Sequence, residues 1–338
     1  MNTMMKGEDF SIEKFCPHCL IAATGAIVGY KYNINNLNRL FFHHSYLYYK
    51  EMDLCIDRIG CINIEFTREL PLQLEEFERR LTYYYGLSLF YQEFCNFERL
   101  MYDIQYIINQ GEPVILEVDL YFWRNHLFFQ NRHEQHVVVV YGMSQNSFLT
   151  VDSILGKSEI LFDDYAEYMR WAQYNDSRQV NILVVERTNV MEKCISLMYG
   201  IEDIERCLEN MNQSHPNMGL TALKNFSVDL LSLIKEEQSA KRIIVPGSWA
   251  FMCDTMTCAK WLKEFMELYS DDTFQVMRKT RELCIKIGRY WYALSSHLNN
   301  YDGNYSDVQR YLDNIYEYEK QLSLSMVDCH KAISDFIQ

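Results

Sequence analysis

The chain has 338 residues, of which 49% are hydrophobic, so it is long enough for two domains of ordinary size with real cores. Its formal net charge of −14 would repel phosphate backbones and anionic lipid headgroups, so we expect no nucleic-acid or membrane partner. Residues 1–14 lack the apolar core of a secretory signal, and no apolar run reaches membrane-spanning length. We therefore expect a cytoplasmic protein whose eleven cysteines are reduced thiols.

The first part of the chain alternates helical and strand-like patterns. The spacing of apolar residues predicts helices over 19–30, 72–85 and 97–109. Apolar runs rich in valine and isoleucine, together with turn signals, predict strands over 114–118, 136–141, 148–151, 159–162 and 181–185. Asp163 is expected to cap a helix that continues to Trp171.

Beyond Arg187 the pattern is almost entirely helical. It predicts helices over 191–211, 218–237, 249–269, 272–299 and 307–337, with Pro246-Gly247-Ser248 as a turn and cap. We therefore predict an α+β domain with an antiparallel sheet over residues 1–187 and an all-α domain over residues 188–338. The helical domain would serve as a lid, a partner-binding surface or the interface of a homodimer.

Three residues in the first domain predict cysteine-based catalysis. Cys19 lies at the start of the first predicted helix, where the helix dipole and free N–H groups favour the nucleophilic thiolate. His136 opens a buried strand and Asp152 ends the next one, a separation typical of paired antiparallel strands. The order Cys, His, Asp, with the helix first and the sheet later, is that of papain-like folds. We predict that Cys19 is the nucleophile, His136 its base and Asp152 the group that orients the base.

Other side chains are candidates for substrate binding. Asp119, Tyr121 and Trp123 follow a strand whose end faces the expected cleft, and they could line an acyl pocket. Asp119 has a second interpretation, in which it only caps the loop. His18 lies beside the nucleophile, and His43 is expected either to line the cleft or to lie on the surface.

Cys16-Pro17-His18-Cys19 also has the form of a thioredoxin-like redox motif. Such a motif follows a buried strand, and residues 10–15 are too short and too charged to form one.

The same two cysteines with His43 and His44 make a nominal zinc ligand set. Neighbouring side chains on a helix point about 100° apart, so both histidines could not easily reach one ion. We therefore expect no metal site.

Four segments carry a family resemblance: GEPVILEVDLYFW at 111–123, HVVVVYG at 136–142, Val151-Asp152, and His18-Cys19. In their order along the chain, these segments resemble the N-terminal domain of the butirosin biosynthesis protein H family. The similarity covers roughly residues 15–185, and only a general helical habit is shared beyond Arg187.

The resemblance implies a papain-like acyltransferase of nonribosomal peptide or aminoglycoside-type biosynthesis. Such an enzyme takes an acyl group from the phosphopantetheine thioester of an acyl or peptidyl carrier protein and gives it to an amine, forming an amide. In this family pattern Cys19 would form the acyl-enzyme, His136 would activate it and later deprotonate the amine, and Asp152 would hold the imidazole. No metal or dissociable cofactor is implied, because the carrier protein holds the phosphopantetheine.

One residue departs from the wider papain-like pattern. Those enzymes commonly place an oxyanion-hole Gln six residues before the nucleophile, whereas this chain has Glu13, whose carboxylate cannot donate a hydrogen bond unless it is protonated. The backbone N–H of Cys19 would supply one donor and leaves the second unassigned. Two alternatives stay open: a papain-like cysteine peptidase or amidase, and a noncatalytic scaffold of a biosynthetic complex.

Overall fold

A computed structural model describes residues 5–12, 19–34, 37, 55–56, 61–63, 74–126, 128–131, 133–176, 180–188, 193–212, 219–236, 242–244, 246–269, 275–301 and 303–337. The chain divides into two compact units. The first comprises Met1–Leu37 with Tyr85–Val190, and the second comprises Asn38–Tyr84 with Met191–Gln338.

The helices are α1 Cys19–Tyr32, α2 Leu74–Tyr85, α3 Phe97–Asn109, α4 Phe162–Asp176, α5 Lys193–Met211, α6 Gly219–Glu236, α7 Pro246–Tyr269, α8 Val276–Asn299 and α9 Tyr305–Ile337. The strands are β1 Cys55–Ile56, β2 Cys61–Asn63, β3 Leu87–Phe94, β4 Val114–Asp119, β5 Gln135–Met143, β6 Ser147–Asp152, β7 Gly156–Leu161, β8 Val180–Arg187 and β9 Arg242–Ile244.

The first unit is built on an antiparallel sheet with the strand order β3-β8-β4-β5-β6-β7. Successive side chains on a strand point to opposite faces, and β5 uses this alternation. Val138 and Val140 pack in a core shared with α3 and α4, so Val139 points to the other face, where α1 packs. A sheet with helices on both faces explains why β5 is a nearly continuous run of valines.

Helix α1 owes its position on the sheet to small residues. Its middle is a run of alanine, glycine and short branched side chains, and seven of its residues are buried. Small side chains let a helix approach a sheet closely, and this close packing fixes the N-terminal end of α1, where Cys19 begins the helix.

The α+β prediction is confirmed at the level of mixed helices and an antiparallel sheet. The predicted helix over 97–109 has the observed bounds of α3, and the strands predicted over 114–118, 136–141, 148–151 and 181–185 occur as β4, β5, β6 and β8. The predicted strand 159–162 begins three residues too late and ends one residue too late, because β7 spans Gly156–Leu161 and Phe162 already begins α4. Asp163 is thus inside the first turn of α4.

The second unit is mainly helical. The pair α7 and α8 and the pair α8 and α9 pack closely, and Trp261 and Trp291 are fully buried in its core. The prediction of an all-α region from residue 188 onward is wrong in one detail, because β9 pairs in parallel with β2. The region 38–84 also groups with this second unit, which the single predicted boundary at 187/188 did not foresee.

A buried ion pair lies inside the second unit. Arg80 of α2 contacts Asp203 of α5 at 2.6 Å, and both side chains are almost fully buried. The hydroxyl of Tyr84 also donates to Asp203 at 2.7 Å. None of the described helices combines the length and the apolar content needed to cross a membrane.

Candidate active site

The three predicted catalytic residues lie at one end of the sheet in the first unit. Because β5 and β6 are antiparallel, the start of β5 and the end of β6 meet at the same edge. His136 is the second residue of β5 and Asp152 is the last residue of β6. Cys19, the first residue of α1, is partly buried, and its side chain acts on the imidazole of His136 and helps to raise the pKa of that ring.

His136 and Asp152 form a short, buried pair. Nε2 of His136 lies 2.5 Å from Oδ2 of Asp152, and the two residues are 7% and 1% exposed. The other carboxylate oxygen, Oδ1, accepts the backbone N–H groups of Ile154 at 2.8 Å and Leu155 at 2.6 Å. The turn after β6 therefore fixes the carboxylate, and the carboxylate fixes the imidazole ring. Since Nε2 is engaged with Asp152, Nδ1 is the ring nitrogen that is left for a contact with Cys19.

The surroundings of His136 favour its charged form. Burial alone would lower the pKa of the imidazole, but hydrogen bonds to Asp152 and Cys19, with the negative charges of both groups, outweigh burial and raise the pKa to about 10. Burial alone would raise the pKa of Asp152. The hydrogen bond and charge of His136, together with the backbone N–H groups of Leu155 and Ile154, outweigh burial and lower the pKa of this carboxyl. An imidazolium held between a carboxylate and a thiol can act as an acid toward a leaving group.

Asp119 is the capping residue that its second interpretation described. It is 4% exposed, and its Oδ1 accepts the N–H groups of Tyr121 at 2.9 Å and Glu134 at 3.2 Å. Its Oδ2 lies 2.8 Å from Nδ1 of His133. Both oxygens thus have partners within the protein, and the prediction that this carboxylate lines an acyl pocket stays a prediction.

Tyr121 and Trp123, the other two residues predicted to line an acyl pocket, both contact neighbouring residues of the protein. The ring of Tyr121 stacks on the imidazole of His133 with centroids 4.1 Å apart. The indole of Trp171 stacks on the other face of the same imidazole, with centroids 4.4 Å apart. Trp123 is buried, and its Nε1 donates to the backbone oxygen of Glu159 at 3.0 Å. The contacts of Tyr121 and Trp123 hold the segment between β4 and β5 in place.

A recess of about 650 Å³ lies beside the turn that holds Asp152. Arg124 and Asp164 form an ion pair at 2.9 Å on its wall, and burial raises the pKa of Asp164. The recess is lined by Trp123, Arg124, Asn125, Leu155, Lys157, Ser158, Glu159, Leu161 and Asp164. Leu155 thus joins the recess to the His136–Asp152 pair through its N–H.

Several predicted residues lie outside the described residues. These are the candidate binding residues His18 and His43, together with Glu13, Cys16 and His44. The redox and zinc alternatives both depend on Cys16, so the described residues test neither. Within the described segments, no group of three or more His, Cys, Asp or Glu side chains is arranged to hold a metal ion.

His126 belongs to this end of the molecule and was missed by the sequence reasoning. It is 4% exposed, and its ring lies against Trp123 with centroids 5.7 Å apart. The charges of His136 and Asp152 both act on it. A single histidine in a loop without periodicity gives no signal in the sequence, and only its burial near His136 and Asp152 distinguishes it.

When the chain is compared with known proteins, no family model and no curated protein matches it. The likeness to the butirosin biosynthesis protein H family is therefore a resemblance carried by the four quoted segments alone.

Proposed function

We propose that the first unit is a papain-like domain that catalyses acyl transfer from a thioester to an amine through a Cys19 acyl-enzyme. The observation that supports this most strongly is the hydrogen-bonded pair of His136 and Asp152 at one end of the sheet, with Cys19 at a helix N-terminus acting on the same imidazole. This arrangement contains a nucleophile, a proton carrier and a fixed carboxylate in the order that covalent catalysis requires.

In the first step the thiolate of Cys19 attacks the thioester carbonyl. A tetrahedral intermediate forms, and its collapse breaks the bond between the acyl carbon and the donor sulfur. The imidazolium of His136 gives its proton to that sulfur, so the donor leaves as a thiol. A pKa near 10 keeps His136 protonated at neutral pH, which suits this role as an acid.

In the second step an amine attacks the acyl-enzyme. Acylation removes the negative charge of Cys19 and its hydrogen bond, and both contribute to the raised pKa of His136. The pKa of the imidazole therefore falls once the acyl group is attached, and neutral His136 can accept a proton from the amine. The amide leaves as the bond to Cys19 breaks, and the thiolate–imidazolium pair is restored.

The family resemblance supplies the substrate classes in this proposal. The donor would be the phosphopantetheine thioester of an acyl or peptidyl carrier protein, and the acceptor would be an amine of a natural-product intermediate. The formal charge of −14 agrees with a cationic acceptor and with no nucleic-acid partner. The second, helical unit is the proposed receiver of the carrier protein.

A turnover assay tests the proposal. The protein is incubated with an acyl N-acetylcysteamine thioester and a panel of amines, and thiol release, amide and free acid are measured separately. We expect thiol release with amide as the main product for at least one amine, and no release by Cys19→Ala. Cys95→Ala, which removes an exposed cysteine, should behave as the wild type.

Other outcomes would overturn the proposal. Free acid as the only product with every amine would make the protein a hydrolase, and cleavage of peptides without any thioester would make it a peptidase. Absence of thiol release, with equal alkylation of Cys19 and Cys95, would favour a noncatalytic scaffold.

A further inference from the structure

His126 lies in the segment that closes the catalytic end of the sheet. This segment joins β4 to β5, and the last pairs between the two strands are Val118 with His136 and Asp119 with Gln135. The segment therefore leaves and re-enters the sheet beside His136. Trp123, on which the His126 ring packs, is anchored to β7 by its bond to Glu159.

Hydrogen bonding fixes the tautomer of His126. Its Nδ1 accepts the backbone N–H of Phe128 at 3.3 Å, so in the neutral ring the proton is on Nε2. That Nε2 atom is buried and has no hydrogen-bond partner among the described residues. A buried N–H without an acceptor is unfavourable, and in native proteins it usually marks a bound water, a ligand or a functional role.

The surroundings of His126 keep its ring neutral. Burial is the main effect that lowers its pKa, and the positive charge of His136 lowers it further, whereas the charges of Asp152 and Glu134 act in the opposite direction and are outweighed. A neutral imidazole that offers an N–H suits a developing negative charge, because it needs no proton transfer to act.

We propose that Nε2–H of His126 donates a hydrogen bond to the oxyanion that forms when Cys19 attacks an acyl carbonyl. It would be the second donor beside the backbone N–H of Cys19, in a chain with Glu13 where papain-like enzymes have a glutamine. This inference rests on the proposed function, since an oxyanion forms only if Cys19 is acylated.

Two reactions of the same sulfur separate this role from a structural one. Alkylation of Cys19 by iodoacetamide displaces iodide at a CH₂ carbon and forms no oxyanion. Acylation by an N-acetylcysteamine thioester passes through one. We expect His126→Leu to lower the acylation rate about 10²- to 10³-fold, the range for loss of one oxyanion donor, and to leave the alkylation rate within about twofold. His126→Gln, which keeps an N–H donor, should recover much of the loss.

The outcomes are distinguishable. Equal acylation rates in wild type and His126→Leu overturn the inference, and so does an equal loss of both reactions, which would mean a disturbed Cys19–His136 pair. Failure of the wild type to be acylated overturns the proposed function and this inference with it.

A measurement on the wild type covers the case in which His126→Leu does not fold. A trifluoromethyl ketone carrying the same acyl chain forms an ionised adduct with Cys19, and the Nε2 proton of His126 should then shift downfield in the proton NMR spectrum. An unchanged resonance on a fully formed adduct would exclude the hydrogen bond.

Discussion

Nε2 of His136 lies 2.5 Å from Oδ2 of Asp152, across the neighbouring strands β5 and β6. Both side chains are buried, and the backbone N–H groups of the following turn hold the carboxylate from its other side. Removing one member of a buried ion pair is strongly destabilising, because the other charge stays buried without compensation.

Asp152→Asn should lower the pKa of His136 well below about 10, because the amide carries no negative charge to favour the imidazolium. Acylation of Cys19 at neutral pH should slow on the order of 10²-fold or more. Histidine titration by NMR, with His136→Gln to assign the resonance, measures the first effect. The matched control is Asp163→Asn on the exposed start of α4, which should change neither quantity. An unchanged titration in Asp152→Asn would mean that the carboxylate is not the partner of His136.

The pair should give the first unit a distinct dependence of stability on pH. The pKa of His136 is raised on folding, so its contribution is fully present below about 6.5 and is lost as the pH rises through about 10. The pKa of Asp152 is lowered, so its contribution is present above 3.8 and is lost as the pH falls. The difference in unfolding free energy between wild type and His136→Gln should shrink from pH 6 to pH 10 by at most about 5 kcal/mol. Urea titrations at both pH values measure it, and a constant difference would contradict the raised pKa.

Asp119→Ala should destabilise the protein by about 1–3 kcal/mol, because two backbone N–H groups and His133 lose their acceptor. Asp119→Asn, which keeps one acceptor oxygen, should lose less. Urea unfolding gives the stability, and iodoacetamide labelling of Cys19 should stay within about twofold. Full stability combined with a raised KM for the thioester would instead restore Asp119 to the substrate pocket.

The buried pair of the second unit should obey the same rule. Asp203→Asn is expected to cost about 3–5 kcal/mol, since Arg80 loses its buried counter-charge. The double variant Arg80→Met, Asp203→Leu should be less destabilised than the single Asp203→Asn. Glu202→Gln, which breaks the half-exposed contact with Arg79 at 3.5 Å, should cost less than about 1 kcal/mol. Similar losses at both sites would contradict the assigned burial.

The strands that the sequence predicted are those whose environment leaves a clear pattern. The valine runs of β5 and β8 are covered on both faces and therefore stand out. Strand β3 was missed, because it is an edge strand whose middle is exposed and carries Phe90, Tyr91, Gln92 and Glu93 without alternation. Its start depends on Gly86, which turns the chain after α2 with φ of 65°.

Helix starts were less predictable than helices. Pro246-Gly247-Ser248 was predicted as a turn, yet α7 begins at Pro246, where a missing N–H costs nothing in the first helical turn. The candidate site was also predictable only in part. Cys19, His136 and Asp152 follow from element order and spacing, whereas the role of Asp119 and the burial of His126 depend on contacts across a loop that no periodicity encodes.

The central claim is that Cys19 carries the acyl group. The most direct test is to locate the acylated residue in the wild-type protein. After brief exposure to an acyl thioester, intact mass and peptide mapping should give one acyl group, attached to Cys19, with the exposed Cys95 unmodified. Cys19→Ser should show no such rapid adduct. An unmodified Cys19, or equal labelling of Cys19 and Cys95, would contradict the account.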